Sequence, residues 1–91
     1  MQVRYTRLAV SDLSQAYGCI KTDSRQDARG IIERIEKSVE TLSLAPLFGK
    51  RGRVADTREY YVTGTPLIIV YREKEGVLQI LSILHMFRKY L

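Results

Sequence analysis

The feature that most constrains this chain is a change of period at Pro46. Ahead of it, two stretches carry apolar residues at helical spacing. Ala9, Leu13, Ala16 and Ile20 stand at i, i+4, i+7 and i+11, one stripe of an α-helix. Ala28, Ile31, Ile32, Ile35, Val39 and Leu42 repeat the pattern, with Glu33 and Lys37 in the favourable i,i+4 order. Thr6 is placed to cap the first helix, and Gly18 weakens it before Lys21-Thr22-Asp23 ends it. Ser24 with Asp27 is a near match to a capping box for the second. That helix must stop before Pro46, because a proline pushes the preceding Ala45 towards extended backbone. Two helices joined by so few residues can pack as an antiparallel hairpin.

Beyond Pro46 the pattern suits strands. Leu47 to Asp56 reads as a loop, with Gly49 and Gly52 among basic residues. Thr57 to Val62 reads as a strand, Thr63-Gly64-Thr65-Pro66 as a turn, and Leu67 to Arg72 as a nearly continuous apolar central strand. Glu73 to Gly76 is a second turn and Val77 to Leu84 a last strand. At the start of the chain, Gln2 to Thr6 alternates polar and apolar, as a short strand does. The sum is α+β in the order β-α-α-β-β-β: a helical hairpin packed on one face of a small, mostly antiparallel sheet. Ninety-one residues make one domain, 1–91.

Composition narrows the function classes. With 45% hydrophobic and 27% charged residues the chain has a globular composition without a disorder signature. Its longest apolar run, Pro66 to Tyr71, is far too short for a membrane span. No apolar segment follows the basic residues of the opening MQVRYTRLAV, so no export signal is expected and a cytoplasmic location is. A single cysteine, Cys19, rules out an internal disulfide and a cysteine metal cage, and reads as a small buried hydrophobe. Gly49 and Gly52 do not form a phosphate-binding loop, which needs Gly-Lys-Ser/Thr ahead of a helix. No cofactor and no metal are expected.

The formal net charge of +5 points to an acidic partner. The excess is local. Lys50, Arg51, Arg53 and Arg58 fall within nine residues in which Asp56 is the only acid, and residues 84–91 add Arg88 and Lys89 with no acid.

The whole pattern resembles the RelE/ParE family of bacterial toxins from type II toxin–antitoxin pairs. The resemblance rests on Ala9-Val10-Ser11-Asp12-Leu13 in the first helix and on Leu42-Ser43-Leu44-Ala45-Pro46-Leu47-Phe48-Gly49-Lys50 at the end of the second. Thr57-Arg58-Glu59 opening a strand, Ile68-Ile69-Val70-Tyr71-Arg72, and Ile83-Leu84-His85 with Arg88 after it complete the match. It implies a toxin neutralised by direct binding of a cognate antitoxin, whose C-terminal segment wraps it. One branch, RelE-like, cuts mRNA in the ribosomal A site; the other, ParE-like, poisons DNA gyrase and is not known for cleaving RNA.

Cleavage through a 2′-hydroxyl needs a proton acceptor, a proton donor and cations on the phosphate. His85 is the candidate acid or base, Arg58, Arg72 and Arg88 are candidate phosphate donors, and Tyr90 could stack a base. Against this, the RelE-like pattern places an arginine shortly before the Val-Tyr step and lysines on the strand before. Here Leu67-Ile68-Ile69 is apolar throughout, and the preceding strand offers Glu59-Tyr60-Tyr61. Those departures fit the ParE-like branch. The resulting expectation is a gyrase poison without catalysis of its own, with Arg53, Arg58, Arg72, Arg88, Lys89 and Tyr90 meeting target or antitoxin. The alternative is a ribosome-dependent mRNA endoribonuclease using His85, Arg58 and Tyr90. An acidic or amphipathic antitoxin segment is expected to cover sheet edge and basic rim together, an added strand being one mode.

Overall fold

The computed structural model describes residues 1–21 and 25–86, and the side chains of these outside 17–28. Strand β1 (Gln2–Tyr5) leads into helices α1 (Arg7–Lys21) and α2 (Arg25–Leu44). Strands β2 (Lys50–Arg51), β3 (Arg58–Tyr61), β4 (Leu67–Lys74) and β5 (Val77–His85) follow. The five strands form one sheet in the order β1-β5-β4-β3-β2. All neighbours pair antiparallel except β1, which lies parallel to β5. This is the α+β arrangement the pattern implies, with one correction. Residues 47–56 are not all loop: Lys50 and Arg51 pair with Glu59 and Arg58 as a fifth strand. Two charged residues carry no apolar alternation, so nothing in the period marks them as strand; they pair because the chain folds back beside β3.

Local chemistry sets the boundaries. The Thr6 hydroxyl accepts the Ala9 N–H at 3.1 Å, capping α1, and donates to the Leu81 carbonyl at 2.7 Å. Thr6 therefore leaves the strand it was expected to end. Helix α2 ends at Leu44, and Ala45 still donates its N–H to the Thr41 carbonyl ahead of Pro46. The Ser24–Asp27 cap lies outside the described residues. Strand β4 runs two residues beyond the expected Arg72, because the hairpin to β5 closes in two residues, Glu75 and Gly76. Both have positive φ, 54° and 77°, as a type I′ turn requires.

The helices cover one face of the sheet. Directly opposed residues share a face, and on this side stand Tyr60 with Ile69, Tyr71 with Ile80, Leu67 with His85, and Val3 with Leu78. Most of these join Ala9, Ile35, Val39, Leu42 and Ile83 in the buried cluster, with Leu13, Ala16, Ile31 and Ile32 at its margin. Full burial of each large side chain contributes about 1.5–3 kcal/mol.

The β5 edge is closed where β1 stops. Beyond Tyr5 the outer side of β5 would face nothing, but the Asp12 carboxylate on α1 accepts the Ile83 N–H at 3.0 Å and the Ser82 hydroxyl at 2.9 Å. Thr6 N–H adds a bond to the Ile80 carbonyl at 3.0 Å. Asp12 is the acid of the Ala9-to-Leu13 phrase, and here it ties α1 to the sheet.

Candidate functional site

Tyr71 organises the cationic end of the sheet. Its side chain is fully buried, and its phenol donates to the Pro46 carbonyl and accepts the Gly49 N–H, both at 2.8 Å. Burial pushes the Tyr71 phenol above its ordinary range, opposed by the Gly49 hydrogen bond and the nearby Arg58 charge. Arg58, opposite Tyr71 on the same face, donates to the Gly49 carbonyl at 2.8 Å and to the Leu47 carbonyl at 3.4 Å. The backbone from Pro46 to Gly49 is thus held by two side chains of the neighbouring strands. Gly49 is required by close approach: a Cβ there would stand 2.5 Å from the Tyr71 hydroxyl and 2.9 Å from the Glu59 carbonyl.

That clamp turns apolar side chains outward. Leu44, Leu47 and Phe48 are 80%, 74% and 62% exposed, and Phe48 packs on the Tyr60 ring at 5.7 Å between centroids. Beside them lie the exposed Lys50 and Arg51 of β2. On the opposite face of the sheet Lys50 sits 4.5 Å over the Tyr61 ring, a cation–π contact. Tyr60 and Tyr61 point to opposite faces, as expected; Tyr60 packs against the core and Tyr61 is exposed.

The other candidate residues do not converge. Glu59 is buried and accepts the Arg53 N–H at 3.3 Å, with the Arg53 guanidinium at 3.8 Å. Arg72 donates to Gln79 at 2.6 Å and lies on the sheet face opposite to Arg58, because consecutive strand residues alternate. His85 ends β5 opposite Leu67, whereas Arg58 is opposite Tyr71. Four residues along β4 separate those levels, about 13 Å, with two strand spacings across. Arg58, Arg72 and His85 are therefore not gathered about one phosphate. Arg88, Lys89 and Tyr90 lie outside the described residues. Among the described residues no helix is long and apolar enough to cross a membrane.

Sequence reasoning passed over Leu47, Phe48 and Tyr71. The signal available was two apolar residues directly after a helix-stopping Pro46, where a solvated loop would be polar. Nothing local, however, foretells that Tyr71 reaches across to hold them.

A helical hairpin on an antiparallel meander, with a cationic edge and a clamped apolar knuckle, defines a small basic α+β domain. A model of the ParE toxin of type II toxin–antitoxin system, parDE, matches residues 3–90, and the chain belongs to that toxin family. A relative from Sinorhizobium fredii described as "Putative toxin Y4kP" is 30% identical over 98% of this chain and 92% of its own length. Among solved structures, a chain of the chromosomal ParDE toxin–antitoxin system from P. aeruginosa superposes with a TM-score of 0.84 at 24% identity. It covers 93% of this chain and 95% of that one. A chain of the E. coli RelBE toxin–antitoxin complex gives 0.65 at 13% identity, over 90% of this chain and 92% of that one. YafQ from E. coli gives 0.60 at 15% identity, over 94% and 93%. At these identities the structures speak for a shared fold.

Proposed function

We propose that this toxin acts in the cytoplasm by poisoning DNA gyrase, without catalysis of its own, and that direct binding of a cognate antitoxin neutralises it. The observation that carries the reading is the dispersal of Arg58, Arg72 and His85 over two faces and two ends of the sheet. Phosphodiester cleavage needs an acid or base and a cation within hydrogen-bond reach of one phosphate. Arg58 instead directs its Nη1 to the Leu47 and Gly49 carbonyls. Family membership and the likeness to a ParDE chain support the same choice. An acidic antitoxin segment suits the +5 charge, which also raises its rate of association. Arg53, Arg58, Arg72, Arg88, Lys89 and Tyr90 are the proposed contacts with target or antitoxin.

Two assays run side by side test this. Gyrase with supercoiled plasmid should yield linear DNA in the presence of the toxin, and a translation reaction should leave its mRNA intact. Codon-specific mRNA cuts that vanish in His85→Ala, with no linear plasmid, would replace this reading by a ribosome-dependent endoribonuclease.

A further inference from the structure

Strand register gathers three cations on the sheet face turned away from the helices. Arg4 of β1 and Arg72 of β4 both stand opposite Gln79 of β5, and directly opposed residues share a face. Two strand spacings separate the arginines, about 10 Å between backbones. Lys74, two residues beyond Arg72, lies on the same face opposite Val77. Arg4 and Lys74 are exposed, while Arg72 and Gln79 are half-buried. The Arg72 Nε donates to the Gln79 side-chain carbonyl at 2.6 Å. That bond fixes the guanidinium with a neutral partner, so the positive charge is held in place and not cancelled. Among the described residues none of the three cations is in an ion pair. Glu59 is the only acid among the described strand residues of this face, and the Arg53 guanidinium sits 3.8 Å from it. Glu73 alternates to the helix side and accepts the Gly76 N–H at 3.2 Å.

We propose that Arg4, Gln79, Arg72 and Lys74 form a phosphate-binding row for the backbone of duplex DNA, separate from the Arg58 clamp. Phosphate follows from the residue types. Guanidinium groups offer phosphate oxygens paired N–H donors, and the Gln79 amide adds a donor between them without an opposing charge. Phosphates recur every 3.4 Å or so along one strand of a duplex, so the two arginines stand about three phosphates apart. A duplex is favoured over a single strand by what surrounds the row. Bases splayed from single strands stack on aromatic side chains. The exposed Tyr61 of this face stands opposite Ile68, four residues along β4 from Arg72, about 13 Å away. Contacts to the backbone position a protein on DNA without reading its sequence. The choice of DNA over RNA rests on the gyrase part of the proposed function, since gyrase works on a DNA duplex.

The test measures binding of the full chain to a fluorescent, mixed-sequence DNA duplex by anisotropy across a range of salt concentrations. Affinity should fall with salt on a log–log slope of about −3, each phosphate contact contributing about 0.9. Arg4→Gln with Arg72→Gln should reduce that slope by about 2 and weaken binding by about tenfold at low salt. Lys37→Gln with Arg51→Gln removes as much charge from exposed positions off this face, and should leave the slope nearly unchanged. Gln79→Glu keeps both arginines but sets an acid between them. It should weaken binding as much as the Arg4 and Arg72 pair does, with no loss of melting temperature. Equal slopes for the two double variants, or full binding by Gln79→Glu, would overturn the row. Tighter binding of an RNA duplex of the same sequence, or displacement of the DNA by poly-glutamate at equal charge, would overturn DNA as its occupant. Linear plasmid from gyrase alongside undiminished DNA binding by Arg4→Gln with Arg72→Gln sinks the row and leaves the gyrase reading standing. Row-dependent DNA binding without linear plasmid does the reverse.

Discussion

Two stretches of strand lack a neighbour of their own, the end of β5 beyond β1 and the outer side of β2, and they are handled in opposite ways. On the β5 flank, where β1 runs out, Thr6 and Asp12 reach from the start of α1 and take the Leu81 carbonyl, the Ser82 hydroxyl and the Ile83 N–H. At the β2 flank, side chains cap the positions on either side of Arg51 and leave Arg51 itself open, with Leu47 and Phe48 turned to solvent. A sheet edge left bare invites pairing with any strand, so proteins cover or charge their edges. This chain covers the stretch of β5 that β1 leaves bare and charges the β2 edge. The difference separates an edge sealed for stability from one guarded by basic residues, which repel copies of the same edge.

The sealed stretch of β5 and the clamp should carry stability while the β2 edge carries almost none. The largest expected effect is at Gly49. Adding a methyl in Gly49→Ala forces it against the Tyr71 hydroxyl and the Glu59 carbonyl, and should cost about 3 kcal/mol in chemical denaturation. A loss under about 0.5 kcal/mol, the range of an ordinary surface change, would mean the 46–49 backbone is not held as described.

Asp12→Ala comes next. It leaves the Ile83 N–H and the Ser82 hydroxyl without their acceptor, for an expected loss of about 2 kcal/mol. Hydrogen exchange should quicken at Ile83 well before it quickens at Ile69; uniform quickening would argue that Asp12 does not act on the edge.

Tyr71→Phe removes the two clamp bonds that Tyr71 makes, leaving those of Arg58, and should cost about 1.5 kcal/mol. It should also change the alkaline limb of the stability profile. Burial raises the Tyr71 phenol above its ordinary value, with the Gly49 bond and Arg58 opposing. The folded state thus favours the protonated phenol more than the unfolded chain does. The resulting stability is fully present below the unfolded pKa of about 10 and is lost as pH rises through the folded value. Unfolding measured from pH 8 to 11 should therefore steepen in the unaltered protein and less so in Tyr71→Phe.

The smallest effect belongs to the open edge. Lys50→Ala removes an exposed cation–π contact with Tyr61, worth about 0.5 kcal/mol. Its melting temperature should scarcely move. A large stability loss would place Lys50 in the architecture and blur the distinction between the two flanks.

Several of these features were legible in the chain as written. The α1 and α2 stripes, the stop at Pro46, the Thr6 cap and the three-strand meander all follow from short-range patterns. Helical period, proline stereochemistry and two-residue turns act within a few residues of each other. The family phrases were legible too, including the Asp12 and Gly49 positions, but not what those residues do. The two-residue β2 was not legible, because Lys50-Arg51 has no alternation to read. The candidate set of Arg58, Arg72 and His85 was assembled by residue type. Strand register alone put Arg58 and Arg72 on opposite faces and His85 some four residues along β4 from Arg58.

By itself, then, the sequence determined the element order, the core-facing stripes, the surplus of positive charge around residues 50–58 and the toxin family. Tertiary structure decided that the end of β5 is sealed and how the 46–49 backbone is held. That decision depends on contacts between residues far apart in the chain: Asp12 with Ile83, and Tyr71 with Pro46 and Gly49. Such contacts exist only once the sheet has set its register, so no local pattern can announce them.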